Sequence, residues 1–190
     1  MKKSKAETAE TRRRIIGAAA REFRRRGIHA TGLAEVMAAA GLTHGGFYRH
    51  FQSKDQLVNE ASEAGMDSIV AKAEAAAAEG TDSGGLEAIV ENYLTLRHRD
   101  DRAGGCLLAG LGSELARADA DTRATVSEGI AKFADVLASR TRRRRSEAAK
   151  SDALFMLSAL VGAVTLSRIA TDPALSDAIL SETKRHLERP

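Results

Sequence analysis

The sequence contains little of several residue types, and each shortage excludes a class of protein. Its 190 residues include one cysteine, two prolines and no tryptophan. A lone cysteine cannot form an intramolecular disulfide, and it argues against a cysteine-based zinc site. Because proline is scarce and Ala, Leu, Glu and Arg are abundant, the composition favours helices. With 43% hydrophobic residues to build a core, we expect an all-α globular protein.

Long apolar segments are also missing from the sequence. No run of about 18 apolar residues, the length that spans a bilayer, occurs in the chain. The first residues, MKKSKAETAETRRR, are basic but lack the apolar stretch of a secretion signal. We therefore expect a cytoplasmic protein without a membrane segment.

Positive charge is concentrated at one end of the chain. Residues 1–56 contain 12 Lys and Arg against 5 Asp and Glu, whereas the remainder contains 17 against 21. A basic end on a mildly acidic body indicates an anionic partner bound at that end. Nucleic acid is the first candidate, and a membrane surface is the second.

Apolar residues recur at helical spacing along the chain, and no strand pattern or internal repeat interrupts them. Breaks are predicted at GTDSGG (80–85) and DDRAGG (100–105). Thr31 is predicted to cap the second helix and Ser53 the fourth, and Pro173 to start the last. The predicted helices cover 11–26, 31–41, a short segment after Thr43, 53–79, 86–94, 104–117, 120–142, 146–171 and 174–188.

The second and third helices have the spacing of a helix-turn-helix, with Gly41 ending one helix and Thr43 capping the next after a three-residue turn. Phe47 and Phe51 lie four residues apart, so we expect both to face the core. The adjacent glycines of GLTHGGFYRHF are unexpected, because glycine costs a helix about 1 kcal/mol relative to alanine.

The segment TRRRIIGAAAREFRRRGIHATGLAEVMAAAGLTHGGFYRHFQSKDQL resembles the N-terminal DNA-binding domain of TetR-family transcriptional regulators. The resemblance covers about 50 residues and implies an all-α homodimer of about nine helices. It implies a DNA-binding domain over residues 1–55 and a helical effector-binding and dimerisation domain over 56–190.

The resemblance also assigns DNA-binding roles. It implies that the segment from Thr43 to Gly46 enters the major groove. There we expect His44 to discriminate bases, helped by close backbone approach at the glycines, while polar residues such as Tyr48 and His50 hold the DNA backbone. The implied DNA-binding residues are Thr31, Thr43, His44, Gly45, Gly46, Tyr48, Arg49, His50 and Lys54. Two positions depart from the common pattern, because Gly32 lacks a hydroxyl for phosphate and Gly46 lacks a side chain for a base contact. The arginines of the first helix and the TRRRR run at 141–145 are interpreted mainly as solvated surface.

Cys106 allows two interpretations. It is either a buried small hydrophobe or a sensor of electrophiles or oxidants, whose thiolate is favoured in the first turn of a helix near Arg99 or Arg102. A small-molecule pocket needs apolar walls with few polar anchors. The candidate pocket and sensor residues are Tyr93, Cys106, Leu107, Leu111, Phe133, Phe155 and Met156, and the alternative for each, which is the more common one, is plain core.

The last two predicted helices carry a series of leucines and other aliphatic residues. The resemblance implies that this helix pair forms a four-helix dimer interface. Its candidate residues are Leu154, Leu157, Leu160, Val161, Val164, Leu175, Ile179, Leu180 and Leu187.

These observations predict a DNA-binding regulator, most simply a repressor that binds a palindromic operator as a homodimer and is released by a small-molecule or thiol-reactive effector. One alternative is a nonspecific architectural DNA-binding protein, which would bind all sequences equally with steep salt dependence. The other is an enzyme that uses Cys106 with His98, but no third orienting residue and no phosphate or metal motif accompanies them. We expect no catalytic residue, metal or cofactor.

Overall fold

The computed structural model describes residues 5–79, 85–141 and 146–188, and in these ranges the chain is helical without a strand. The predicted all-α class is therefore confirmed. The elements are α1 (Lys5–Arg26), α2 (Leu33–Ala39), a 3-10 helix (His44–Arg49), α3 (Lys54–Glu79), α4 (Gly85–Tyr93), α5 (Leu96–Asp100), α6 (Leu107–Leu115), α7 (Ala120–Arg140), α8 (Glu147–Ile169) and α9 (Pro173–Leu187). Most of the predicted break at 80–85 and arginines 142–145 of the basic run lie outside the described residues.

Side-chain caps define several helix starts. The Ser53 hydroxyl accepts a hydrogen bond from the Gln56 amide at 3.0 Å, at the start of α3. Asp172 accepts one from the Ala174 amide at 3.0 Å, and Pro173 is the first residue of α9. Both predicted starts are confirmed, because these side chains satisfy amides that have no partner within the helix.

Three elements differ from the sequence prediction. The first helix begins at Lys5 rather than at residue 11. The third element is a 3-10 helix, the tighter geometry common in short segments, where two glycines disfavour a regular α-helix. A separate helix, α5, fills residues 96–100, capped by the Thr95 hydroxyl, which accepts from the His98 amide at 3.0 Å.

The helices pack around two long central elements. α3 packs along α7, and α8 packs against both α7 and α9. A Cβ atom at Gly129 in α7 would lie 2.6 Å from Cβ of Met66 in α3. Only glycine allows α7 and α3 to approach each other this closely at Gly129.

Two polar contacts join the N-terminal helices to the body. The Arg24 guanidinium of α1 donates to the Ala103 carbonyl at 2.7 Å. The Glu114 carboxylate of α6 accepts from the His29 amide at 3.0 Å, in the loop between α1 and α2. The loop before α6, and α6 itself, therefore contact the N-terminal helices directly.

Candidate DNA-binding surface and effector cavity

A tight turn links α2 to the 3-10 helix. Gly41 has a φ of +69°, and the Leu42 amide donates to the Met37 carbonyl at 2.9 Å. Glycine favours this left-handed conformation because it has no Cβ. Arg14 of α1 donates to the Ala40 carbonyl at 2.6 Å and holds the end of α2. The helix-turn-helix spacing read from the sequence is thus present in the structure.

Two phenylalanines hold the 3-10 helix against the core. Phe47 and Phe51 are both buried, and their rings stack with centroids 5.5 Å apart. Arg12 lies over the Phe51 ring at 4.6 Å from its centroid and forms a bidentate ion pair with Glu60. The prediction that both phenylalanines belong to the core is confirmed.

The opposite side of the 3-10 helix is exposed. We call this surface the recognition face, and it consists of Thr43, His44, Gly45, Tyr48 and Arg49. Tyr48 is 68% exposed. The face presents imidazole, phenol and guanidinium groups together, all of which can donate hydrogen bonds to phosphate oxygens or base edges.

The packing of the chain does not require the paired glycines. A Cβ atom at Gly45 would meet nothing within 4 Å, and one at Gly46 would make an ordinary contact with Met37 Cε at 3.5 Å. Neither glycine has a positive φ. Among the described residues, the glycines with a positive φ are Gly27 and Gly41. The space above Gly45 is open on the recognition face.

Two residues predicted to hold the DNA backbone make internal contacts instead. Thr31 is fully buried, and its hydroxyl donates to the Gly27 carbonyl at 2.6 Å. It does not cap α2, whose N-cap is Gly32. The Gly32 amide donates to the Glu35 carboxylate at 2.9 Å, and this bond lowers the pKa of Glu35.

Lys54 begins α3, as predicted, but its side chain turns inward. The ammonium donates to the Ile28 and Thr31 carbonyls, both at 2.7 Å. In this arrangement the ammonium holds the loop between α1 and α2, and its phosphate contact stays a prediction.

The remaining predicted DNA contacts differ in exposure. Thr43 is the N-cap of the 3-10 helix, but its side chain accepts no capping bond, contrary to expectation. His50 is half-buried, and its carbonyl accepts a bond from Arg12 at 3.4 Å.

A cavity with a volume of about 570 Å³ lies in the body. Its walls come from α3, α4, α7 and the segment 95–106. The predicted pocket residues Tyr93, Cys106 and Phe133 line it. Among the wall residues that sequence reasoning did not place there are Ile69, Lys72, Ile89, Asn92, Arg97, His98 and Asp101.

Other predicted pocket residues lie elsewhere. Leu107, Leu111 and Met156 are buried in the core and do not line the cavity. Phe155 is 69% exposed, on the outer side of α8. Its assignment to the pocket is wrong because α8 turns about 100° per residue, which separates it from its buried neighbour Met156.

Cys106 is the N-cap of α6 and is buried, rather than exposed in the first turn. Burial raises the pKa of its thiol, more than the neighbouring donors lower it. Arg99, one of the two arginines expected to favour a thiolate, forms ion pairs with Asp100 and Asp177. Burial therefore favours the neutral thiol.

The side chain of His98 is fully engaged beside this cysteine. Its Nε2 accepts a hydrogen bond from the Cys106 backbone amide at 2.8 Å, so the ring proton is on Nδ1. That nitrogen donates to the Tyr93 carbonyl at 2.7 Å. Burial lowers the pKa of His98, and the charges of Arg168 and Lys72 lower it further.

The predicted dimer residues on α8 and α9 divide into three groups. Leu157, Leu160, Val164 and Leu180 are buried in the chain's own core, so their assignment to an interface is wrong. Val161, Ile179 and Leu187 are partly buried. Leu154 and Leu175 are exposed, together with Phe155, Leu166 and Ile169.

Helix α8 is long and apolar enough to cross a membrane by length and composition, contrary to the sequence expectation. This is weak grounds for a membrane segment, since core helices pass the same test. Its apolar residues serve both the core and the exposed outer side.

Comparison with known proteins finds similarity to the N-terminal segment of one protein family. Residues 15–61 match the family described as bacterial regulatory proteins, tetR family. The HTH-type transcriptional regulator AcrR of Shigella flexneri is 42% identical over 59 residues, which are 31% of this chain and 27% of AcrR. The chain thus matches little more than a quarter of the length of this relative.

Solved structures extend the similarity to the whole fold. E. coli NemR in its reduced form superposes with a TM-score of 0.80 at 20% identity, covering 94% of this chain and 95% of NemR. A TetR transcriptional regulator from Chloroflexus aurantiacus has a TM-score of 0.80 at 25% identity, over 96% and 94% of the two chains. The N-terminal segment is therefore similar to that of the tetR family of bacterial regulatory proteins, and the chain as a whole has the fold of these solved structures.

Proposed function

We propose that the chain is a transcriptional repressor that binds a palindromic operator as a homodimer and is released when an effector occupies its cavity. The observation that carries the proposal is the recognition face, where hydrogen-bonding side chains surround a glycine that nothing in the fold requires. A bare backbone at this position leaves room for a base pair. Relatives with a matching N-terminal segment include a curated transcriptional regulator.

Within this face, His44 is proposed to read a base and Thr43, Tyr48 and Arg49 to bind phosphates. His44 is exposed at the start of the 3-10 helix, the end that enters the major groove in helix-turn-helix proteins. The Thr31 hydroxyl and the Lys54 ammonium are proposed to affect DNA binding indirectly, because they hold the loop between α1 and α2. The proposed DNA-binding domain covers residues 1–55, and α3 begins at its boundary and continues into the effector-binding and dimerisation domain.

Dimerisation is supported by the outer side of the last two helices. Leu154, Phe155, Leu166, Ile169 and Leu175 are 50% or more exposed on α8 and α9. Several large apolar side chains exposed on two helices that pack together are typical of an interaction surface. Phe155→Glu should convert the dimer to a monomer in analytical ultracentrifugation, whereas Glu147→Gln, at an exposed site near the start of α8, should not.

Effector release is supported by the route from the cavity to the N-terminal helices. The segment 101–106 lines the cavity, and its Ala103 carbonyl accepts the bond from Arg24. An effector that displaces this segment would shift α1 and change the spacing of the two recognition faces. Effector and operator affinities must then depend on each other, and independence in a titration would contradict this mechanism.

A thiol-reactive effector remains a narrower proposal. Cys106 lines the cavity but is buried and neutral, so reaction would require an opening of the site. Operator affinity measured before and after alkylation, with Cys106→Ser as the control, tests it. An unchanged affinity of the alkylated wild type would remove this route.

We propose that the chain is not an enzyme. Both ring nitrogens of His98 are already hydrogen-bonded, to the Cys106 amide and the Tyr93 carbonyl. No nitrogen is left to accept the thiol proton, which a cysteine nucleophile requires.

The operator proposal is tested by selecting bound sequences from a random DNA pool with the full chain. We expect one palindrome, with half-sites about one helical turn, roughly 34 to 36 Å, apart. His44→Ala should relax the preference at one position in each half-site and lower affinity by about 1 to 3 kcal/mol. His29→Ala is the matched control, since this exposed histidine makes its bond to Glu114 through the backbone. Uniform binding to all sequences would favour the architectural alternative.

A further inference from the structure

We propose that the cavity binds a mainly apolar, uncharged molecule with a carbonyl oxygen, and that this oxygen accepts a hydrogen bond from the Tyr93 hydroxyl. The inference rests on the proposed function, because it takes the cavity as the effector site. It adds the chemical class of the effector, which the proposed function leaves open.

The Tyr93 hydroxyl carries the inference. Tyr93 lines the cavity and is 8% exposed, and its hydroxyl oxygen has no hydrogen-bond partner among the described residues. Buried tyrosine hydroxyls normally have a partner, and an unsatisfied one calls for an explanation such as a missing ligand. Burial raises the pKa of Tyr93, so the group remains a donor at neutral pH.

The neighbours of Tyr93 do not provide a strong acceptor. The His98 ring stands edge-on to the Tyr93 ring, with centroids 4.6 Å apart, but both of its nitrogens are already bonded. The Cys106 thiol is close enough for a hydrogen-bond-type interaction with the Tyr93 hydroxyl to shift the pKa of both groups, but the two do not have the geometry of a hydrogen bond. Sulfur is only a weak acceptor, so a carbonyl oxygen would satisfy the hydroxyl better.

The distribution of charge favours an uncharged ligand. The inner wall is formed by buried apolar residues, namely Ile69, Ala73, Ala76, Ile89 and Phe133. The charged wall residues are exposed and balanced, with Lys72 and Arg97 against Glu79 and Asp101. A carboxylate beside Tyr93 would lose its hydration without a new partner of opposite charge.

Arg168, a partly buried cation near Tyr93, already donates hydrogen bonds within the chain. Arg168 affects the pKa of both Tyr93 and Cys106. Its guanidinium donates to the His98 carbonyl at 2.8 Å and to the Arg99 carbonyl at 3.0 Å. Turning it toward a bound anion would break these two bonds, which join α5 to α8.

The test uses three naphthalene probes of similar size. The ketone is 6-propionyl-2-(dimethylamino)naphthalene, whose fluorescence responds to hydrogen bonding at its carbonyl. The other two are 6-propyl-2-(dimethylamino)naphthalene, in which a methylene replaces the carbonyl, and 6-(dimethylamino)-2-naphthoate, which is charged. The cavity volume of about 570 Å³ lies in the range of small-molecule pockets. Since the chain has no tryptophan, probe fluorescence can be measured with little protein background.

The wild type should bind the ketone about three- to tenfold more tightly than the carbonyl-free amine, as one hydrogen bond predicts. Tyr93→Phe should remove this preference and leave the affinity for the amine unchanged. The variant should melt at or above the wild-type temperature, because it loses only an unsatisfied hydroxyl.

Three results would overturn the inference. They are a ketone preference that survives in Tyr93→Phe, tighter binding of the naphthoate than of the ketone by the wild type, and no ketone binding by the wild type. The wild-type comparison of the three probes does not depend on the folding of the variant. The DNA selection uses no probe. If the probe experiment fails, the operator proposal is therefore unaffected, and if the DNA selection fails, the probe result can still be interpreted.

Discussion

The recognition face and the cavity are both places where the fold leaves a group unused, but in opposite settings. On the recognition face, Gly45 is exposed and a Cβ atom there would meet nothing within 4 Å. In the cavity, the Tyr93 hydroxyl is buried without a partner among the described residues. The first is an open, polar and basic surface, and the second is a recessed space with an apolar inner wall.

This difference indicates two different kinds of partner. A large, hydrated anion such as DNA can be met only at an exposed surface, where charged side chains keep their water until contact. A small molecule can be surrounded, and a buried donor then discriminates strongly because leaving it unpaired is costly. The contacts of Arg24 and Glu114 connect the two sites through α6 and the loop before it.

The largest expected effect comes from removing the support of the recognition face. Phe47→Ala should lower the free energy of unfolding by about 3 to 5 kcal/mol, because it leaves a cavity at a fully buried site. Chemical denaturation monitored by circular dichroism measures this loss. Tyr48→Ala, one residue along at a 68% exposed site, should change stability by less than about 0.5 kcal/mol. Equal losses in the two variants would contradict the assigned inward and outward sides.

A smaller loss is expected from Lys54→Met. This change removes the ammonium that bonds the Ile28 and Thr31 carbonyls, and it should cost about 1.5 to 3 kcal/mol of stability, the range for hydrogen bonds to a charged group. Lys132→Met, at an exposed position of α7, is the control and should cost little. If Lys54→Met left stability unchanged but reduced the salt dependence of DNA binding, the predicted phosphate role would be supported.

Lys54 and Thr31 show what the sequence could and could not predict. Helical periodicity predicts the elements and the burial of Phe47 and Phe51, because these depend on local spacing. The partner of a polar side chain depends on the tertiary arrangement, and the Lys54 ammonium bonds carbonyls 23 and 26 residues away. The partner of Thr31 could have been predicted from local sequence, because its hydroxyl donates to the carbonyl of Gly27, only four residues before it.

The candidate cavity shows the same limit. Tyr93, Cys106 and Phe133 were predicted from residue type alone, and they line one space. Phe155 has the same apolar character as Phe133 but points outward. Periodicity within α8 cannot decide between core and interface, because this helix is apolar on more than one side. Only the packing of α7 and α9 against it settles which residues are buried.

Gly45→Ala would sharpen the comparison from the side of the recognition face. Its φ is not positive and its surroundings are open, so alanine should stabilise the free chain by about 0.4 to 1 kcal/mol. If DNA approaches this backbone, operator affinity should fall while stability rises. Gly112→Ala, in an equally open position on α6, is the matched control and should leave operator affinity unchanged. Unchanged operator binding by Gly45→Ala would show that DNA recognition does not depend on a close approach to the backbone at Gly45.

The smallest effect concerns pH and the cavity wall. Burial holds the pKa of His98 below its ordinary value of 6.5 in the folded chain, so the unfolded chain binds a proton more readily. The resulting contribution to stability is fully present above about pH 6.5 and is lost as the pH falls from there toward the folded pKa.

Urea midpoints at pH 7.5 and 5.5 should therefore differ more in the wild type than in His98→Asn, which cannot titrate. The other ionisable groups are the same in both proteins, so the comparison isolates the contribution of His98. A protonated imidazole cannot accept the Cys106 amide bond, so the same acidification should loosen the cavity wall at the start of α6. A wild-type midpoint that falls no further than that of His98→Asn would show that His98 keeps its ordinary pKa, and with it that the cavity wall does not depend on the neutral ring.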